Sequence, residues 1–456
     1  MTSISNLTQE PRLGPRDRRG TTDRNRAQWG WYWFDFGNSA YAAVILLAVF
    51  STYFQGKVVG GAEGSRLWGL SLGIAMIFVA ILTPILGTVA DYAASKKRFL
   101  LFFSALTWIA TSLLFFVQAG DIFIGMLFFI LAEIGYRGGQ VFYNALLLDV
   151  ANPDEMGHVS GNGWAFGSVG GIICLLFILP MIVLSKSDPL VIRGSFIFTA
   201  AFFALSTIPL FLWVKENHQP RQLAPGDNYL SLAFRRIRST FLAVRQFSGF
   251  LRFMLAFLVY NDGILMALNF AAIIGAVLFG MTQTQLILFM ILVQVTSAIG
   301  AYAFGIWGEK YGLKQTLVAA ILLMTGTVTW MIFNQTLTGY FIIGALAGFA
   351  LTGVQSLSRT MAGLFAPESK STEFFSFFAI AGKSTSFIGP ALFGVLAFRM
   401  SNWFQSQGFA ASTAEQFGLR ASIVSMAIFL VVGLLLLVAV NEKRARQAAL
   451  EYASAD

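Results

Sequence analysis

Charge is what this 456-residue chain has least of, with 12% of residues Asp, Glu, Lys or Arg. Soluble domains carry roughly twice that share. The scarcity excludes a solvated enzyme, and 56% hydrophobic residues exclude a disordered chain. The single cysteine, Cys174, rules out an internal disulfide framework and a thiolate-rich metal site. Both histidines, His158 and His218, fall in polar connecting segments, so no imidazole and no metal site are expected within the membrane. His-Glu-x-x-His, Gly-x-Ser-x-Gly, a Walker sequence and paired helical aspartates are also missing. Hydrolysis and ATP drive therefore have no sequence support, and the chain is not read as an enzyme. A filter-like repeat is absent, which disfavours a channel. So is the strict alternation, over roughly ten residues, of membrane β-strands.

What is abundant is Phe, 46 residues, and Gly, 44 residues, a pairing suited to closely packed helices in lipid. From Trp29 the chain runs through twelve long apolar stretches: Trp29–Phe54, Leu67–Ala90, Phe99–Val117, Ile122–Val150, Gly161–Leu184, Val191–Val214, Phe250–Phe279, Gln285–Trp307, Leu313–Phe333, Leu337–Phe365, Phe374–Phe398 and Phe417–Val440. Each meets the roughly 20 residues that a helix rising about 1.5 Å per residue needs to cross the hydrocarbon. The expectation is an all-α integral membrane protein with twelve transmembrane helices.

Residues 1–28 hold Arg12, Arg16, Arg18, Arg19, Arg24 and Arg26 but lack the apolar run of a signal peptide. They read as a disordered basic tail, and no nucleic-acid partner is expected. An even number of crossings puts both termini on one side. That side carries 22 of the 31 Lys and Arg residues, the other side six, and three lie within spans. Both termini are therefore expected in the cytoplasm. The longest internal connection divides the chain into residues 29–214 and 250–440, with a cytoplasmic tail at 441–456. In the connection, 215–249, Phe234, Ile237, Phe241 and Val244 interleave with Arg235, Arg236, Arg238 and Arg245, the pattern of a helix resting on anionic headgroups or, as the alternative, of a regulatory partner site.

The halves echo each other. Gly87, Asp91 and Lys96, followed by Lys97 and Arg98, match Gly305, Glu309 and Lys314 at an offset of 218, and Gly139 and Pro153 match Gly353 and Pro367 at an offset of 214. Parallel repeats build many secondary transporters, with the substrate held between halves near the midplane. In this loop pattern the glycines would permit close helix approach, and the acid would cap a helix or pair with a base. Gly87, Asp91, Lys97, Arg98, Glu309 and Arg359 are the candidate gating and loop residues.

Ionisable groups inside the apolar runs are expensive and mark function. They are Asp35 in the first span, Glu133 and Arg137 in the fourth, Asp262 in the seventh, Arg359 in the tenth and Lys383 in the eleventh. Spans one, four, seven and ten are the first of each successive three, as expected if they line a central cavity. Glu133, Arg137, Gln140 and Asn144 form one helical stripe, and Glu133 precedes Arg137 in the favourable orientation for an ion pair. Asp35 would either cap its helix or carry a proton. Lys383, about 14 Å inside its span at helical rise, must pair with Asp35 or Asp262 or bind an anionic substrate group.

The segments Trp33-Phe34-Asp35-Phe36-Gly37-Asn38-Ser39-Ala40-Tyr41, Gln355-Ser356-Leu357-Ser358-Arg359, Glu373-Phe374-Phe375 and Gly382-Lys383-Ser384-Thr385-Ser386-Phe387-Ile388-Gly389-Pro390 resemble the Atg22-like (UMF1) family of the major facilitator superfamily. The Gly87–Lys97 loop is similar to the superfamily's loop motif, with Ala93, Ala94 and Ser95 where glycines and an arginine are usual. The resemblance implies two pseudo-symmetric six-helix bundles, rocker-switch alternating access, and spans one, four, seven and ten around the substrate. Yeast members resemble vacuolar amino-acid exporters.

The functional expectation is a secondary transporter, monomeric in the cell membrane. It would need no cofactor beyond a proton or sodium gradient. Asn38, Arg137, Gln140, Tyr143, Asn144, Trp164, Asn269, Gln355 and Lys383 would bind a small zwitterionic or anionic solute such as an amino acid. Asp35, Glu133 and Asp262 would carry the proton, because burial favours the neutral form of a carboxylic acid. The alternative within transport is a drug, sugar or lipid carrier whose charges only gate. An intramembrane enzyme or receptor is the alternative outside it.

Overall fold

A computed structural model describes residues 18–92, 95–152, 155–216, 228–367 and 370–455. The described residues are helical throughout, and 12 helices are long and apolar enough to cross a membrane. They are Asp23–Val59, Gly61–Ala90, Lys96–Phe116, Ile122–Val150, His158–Leu184 and Pro189–Trp213, then Ser248–Phe279, Gln283–Tyr311, Leu313–Phe333, Leu337–Leu364, Phe377–Ser406 and Ala411–Val438, numbered here as spans one to twelve. Gly60 and Gly61, at φ 84° and 58°, make the tight turn between spans one and two that a residue with a Cβ resists.

Two expectations need correction. Residues 18–28 are not a disordered tail, because a helix runs from Arg18 to Tyr41. It is held there by Gln28 Nε2 donating to the Val150 carbonyl at 3.2 Å and by the Arg24–Glu155 ion pair at 3.2 Å. Residues 1–17 lie outside the described residues. Asp35 is consequently deep in the first helix rather than at its cap. The C-terminal tail is also ordered, as a helix Glu442–Ala455. Its Tyr452 ring meets Phe247 at 5.4 Å.

The spans pack as two groups of six. Span one lies against five and six, span four against two and three, span seven against twelve, span ten against eight and nine, and span eleven against twelve. Span one approaches span five so closely that a Cβ on Gly163 would overlap the Trp31 ring and one on Gly170 the Phe36 carbonyl. Small residues at such crossings let backbones meet in lipid. Between the groups, span two packs on eleven, span five on eight, and the distal half of span one on seven and eight.

Span one is not a regular α-helix along its length. Ala42–Ala48 and Phe54–Val59 are wound as π-helix, which widens the turn and redirects carbonyls. The Ala48 carbonyl accepts a hydrogen bond from Gln283 Nε2 of span eight at 2.9 Å, and Thr52 Oγ1 donates to Gln283 Oε1 at 3.2 Å. Gln55 Nε2 donates to Glu415 of span twelve at 3.0 Å. These bonds close the molecule at the end opposite the termini.

Candidate functional site

Glu133, Arg137 and Lys383 come together within the spans. Glu133 is fully buried, and its carboxylate accepts from Arg137 Nε at 2.8 Å and from the Tyr41 hydroxyl at 3.2 Å. The intrahelical pair read from the spacing is therefore formed, with Tyr41 of span one as an added donor. The guanidinium also sits 5.2 Å from the centre of the Tyr136 ring. Because Glu133 and Tyr136 hold the guanidinium from one side, its remaining donors face the interior between the groups.

That interior holds a small cavity of about 40 Å³ lined by Arg137, Lys383, Asn269 and Ser386 among Leu72, Met76, Val79, Leu265 and Pro390. Arg137 comes from the first group of six and Lys383 from the second, close enough for their like charges to repel each other. The expected pairing of Lys383 with Asp35 or Asp262 is not formed, since among the described residues no carboxylate lies within 4.0 Å of its ammonium. Lys383 lines the cavity with Arg137, and neither Asp35 nor Asp262 borders it. Two cations about a small, largely apolar cavity form an arrangement that an anionic group completes.

The acids differ in their surroundings. The Asp35 carboxylate packs against Gly167 and Ser39, beside Asn38. Asp262 is 3% exposed, and among the described residues its Oδ1 has no hydrogen-bond partner. A buried carboxylate with neither cation nor donor is costly when ionised, so Asp262 stands apart from the tied Glu133.

The other candidates divide. Asn38 and Asn269 are buried, and the Asn269 carbonyl accepts from Trp68 Nε1 of span two at 3.1 Å. Tyr143 is a packing residue, its ring stacked at 4.4 Å on Trp31 and 4.8 Å on Phe34, with Trp31 Nε1 donating to its carbonyl at 3.1 Å. Its hydroxyl is buried without a partner. Gln140 is half-buried, whereas Asn144, Gln355, Ser356 and Arg359 are exposed. Polar side chains facing hydrocarbon are costly, so these stripes on spans four and ten read as the walls of a water-filled cleft. Trp164 is 47% exposed and does not line the Arg137–Lys383 cavity.

The loop motif works differently from the expectation. A Cβ on Gly87 or Gly305 would meet nothing within 4 Å, so neither is a point of close approach. The Asp91 side chain lies outside the described residues, while Glu309 and Arg98 are exposed. The lysines carry the contacts. Lys96 Nζ pairs with Asp149 at 2.9 Å, with both side chains buried, and donates to the Ala145 carbonyl at 3.2 Å. Lys97 Nζ donates to the Phe211 and Val214 carbonyls at the end of span six, at 2.8 and 2.7 Å. Lys314 Nζ does the same at the end of span twelve, to Val438 and Val440 at 2.9 and 2.7 Å. A lysine closing the carbonyl end of a helix satisfies orphan acceptors. The repeat is thus real, with Lys97 and not Lys96 as the counterpart of Lys314. Asp149, Tyr41 and Gln283 escaped the sequence reading. Asp149 alone gave a signal, as an acid ending span four.

Comparison with known proteins places this geometry. The family described as vacuole effluxer Atg22 like matches residues 68–450. An uncharacterized MFS-type transporter, YxiO of Bacillus subtilis, is 29% identical over 423 residues, covering 91% of this chain and 94% of that protein. Autophagy-related protein 22 of Kluyveromyces lactis is 24% identical over 383 residues, covering 76% and 77%. Among solved structures, a bacterial homolog of the human lysosomal transporter Spinster, in an inward-facing and unoccupied conformation, superposes with a TM-score of 0.70 at 17% identity, covering 96% of this chain and 99% of that one. The D-xylose-proton symporter superposes with a TM-score of 0.64 at 14% identity, covering 92% and 98%. At such identities these structures establish the twelve-helix fold alone.

Proposed function

Because this chain belongs to the Atg22-like vacuole effluxer family, we propose that it is a secondary active transporter moving a small anionic or zwitterionic solute, such as an amino acid, by alternating access. The observation that carries the reading is the convergence of Arg137 and Lys383, one from each group of six, on one cavity among the spans. A solute carboxylate bridging them would draw the groups together, and its release would let them part. Gln283 donating to the Ala48 carbonyl and Gln55 donating to Glu415 close the far end. With the termini in the cytoplasm, as the Lys and Arg distribution argues, the cleft faces the cytoplasm in this arrangement.

The relatives support transport. YxiO is named an MFS-type transporter. For location we favour the cell membrane, and we take the working unit to be one chain, since each cavity wall comes from the same polypeptide.

The substrate class is tested by thermal unfolding in detergent against panels of amino acids, organic acids and neutral sugars, because a ligand stabilises the state that it binds. Anionic and zwitterionic solutes are expected to raise the unfolding temperature, and a rise with sugars alone refutes the assignment.

Proton coupling, with Asp262 as the carrier, rests on its burial without a partner. Asp262→Asn is expected to remove the pH dependence of transport in reconstituted vesicles, while Asp35→Asn keeps it. Unaltered pH dependence in Asp262→Asn would assign the proton elsewhere.

A further inference from the structure

We propose that the helix Tyr229–Arg245, between spans six and seven, binds the anionic surface of the bilayer and thereby holds the two groups of six in the arrangement closed at the end away from the termini. The helix carries Arg235, Arg236, Arg238 and Arg245 and no acidic residue. It is a formed element: Asn228 Oδ1 accepts from Ser231 N at 2.7 Å, and Ser231 Oγ accepts from Asn228 N at 3.2 Å. Such reciprocal caps fix where a helix begins.

One side of the helix is committed to protein. Ala233 and Val244 are buried, and Ala233 and Phe234 border a crevice with Ala80, Ile81 and Pro84 of span two. The Phe241 ring meets Phe377 of span eleven at 6.4 Å. The helix thus touches both groups of six, through span two and through span eleven. Leu242 is 52% exposed alongside exposed Arg238 and Arg245, and Phe234 and Phe241, though they border those contacts, stay 64% and 47% exposed.

The occupant follows from chemistry and level. The helix lies between the end of span six at Trp213 and the start of span seven at Ser248, hence on the side of the bilayer where those two spans meet water. Exposed Phe and Leu beside the exposed Arg238 and Arg245 fit an anionic phospholipid leaflet, which offers acyl chain and phosphate together. An acidic soluble partner would satisfy the charge and leave the apolar side chains without a role. Held against the leaflet, the helix keeps spans two and eleven in their present relation.

Two reporters test this without any substrate. Cys174, the only native cysteine, is buried, so introduced thiols report alone. A fluorophore on Leu242→Cys is read for quenching by brominated lipid, and Ser356→Cys in the cleft for its rate of maleimide labelling. In vesicles containing about one-third phosphatidylglycerol, both signals are expected to exceed those in phosphatidylcholine by about threefold or more. Arg236→Gln, Arg238→Gln and Arg245→Gln together should abolish the difference, and the matching Arg→Lys set should retain it. Equal signals in the two vesicle types overturn the proposal. So does quenching that responds to lipid charge while labelling does not, or a labelling increase produced by soluble polyglutamate in neutral vesicles.

Discussion

Replacing Lys383 by alanine is expected to bring transport down to the background of empty vesicles while the protein still folds. Lys383 reaches the cavity that Arg137 also lines, and no carboxylate lies within 4.0 Å of it among the described residues. Its removal therefore strands no buried acid and relieves repulsion from Arg137, so thermal unfolding should move little. The lost interaction with a substrate anion is worth about 2–5 kcal/mol in a desolvated site, or roughly 30-fold to more than 1,000-fold in rate. Lys383→Arg keeps the charge and should retain part of the activity. Initial uptake rates together with unfolding temperatures check this, and wild-type uptake by Lys383→Ala would remove the residue from the site.

Asp149→Ala has the largest expected effect on stability. Asp149 faces Lys96 at 2.9 Å with side-chain exposures of 0% and 6%, so the variant leaves an ammonium buried against the Ala145 carbonyl alone. Breaking a buried pair in this way costs about 3–5 kcal/mol. The Arg24–Glu155 pair nearby is 37% and 40% exposed, and Arg24→Ala should cost less than about 1 kcal/mol. The comparison separates burial from mere proximity of charges. Unfolding temperatures in detergent should fall clearly for Asp149→Ala and barely for Arg24→Ala. Replacing Lys96 and Asp149 together by Met and Leu should recover most of the loss, because two apolar groups need no partner. Equal losses in the two single variants would contradict the account.

Much of the fold was legible because lipid imposes a simple rule: each crossing needs a long apolar helix. Twelve runs in the sequence correspond to twelve spans, and the repeat offset located the loop lysines. The site was legible only as a set of helices. Spacing on one helix exposed the Glu133–Arg137 pair, since both residues ride on the same turns. Pairing across helices depends on rotation and tilt, which one sequence does not encode locally. For that reason the sequence leaves Lys383 to pair with Asp35 or Asp262 or to bind an anionic substrate group, and in the structure it stands near Arg137. The π-helical turns of span one left no mark in composition, yet they free the Ala48 carbonyl that Gln283 engages. Gly87 and Gly305 matched a motif, but open space surrounds them, while Gly163 and Gly170, which are closely packed, carried no motif.

The central claim is that Arg137 and Lys383 hold the anionic group of a transported solute between the two groups of six. Counterflow in proteoliposomes tests it most directly, with vesicles loaded with unlabelled amino acids and organic acids and offered labelled members of each class outside. The account predicts accumulation of an anionic or zwitterionic label driven by its own class inside, lost in both Lys383→Ala and Arg137→Ala. Counterflow of neutral sugars or lipids that survives both substitutions would contradict it.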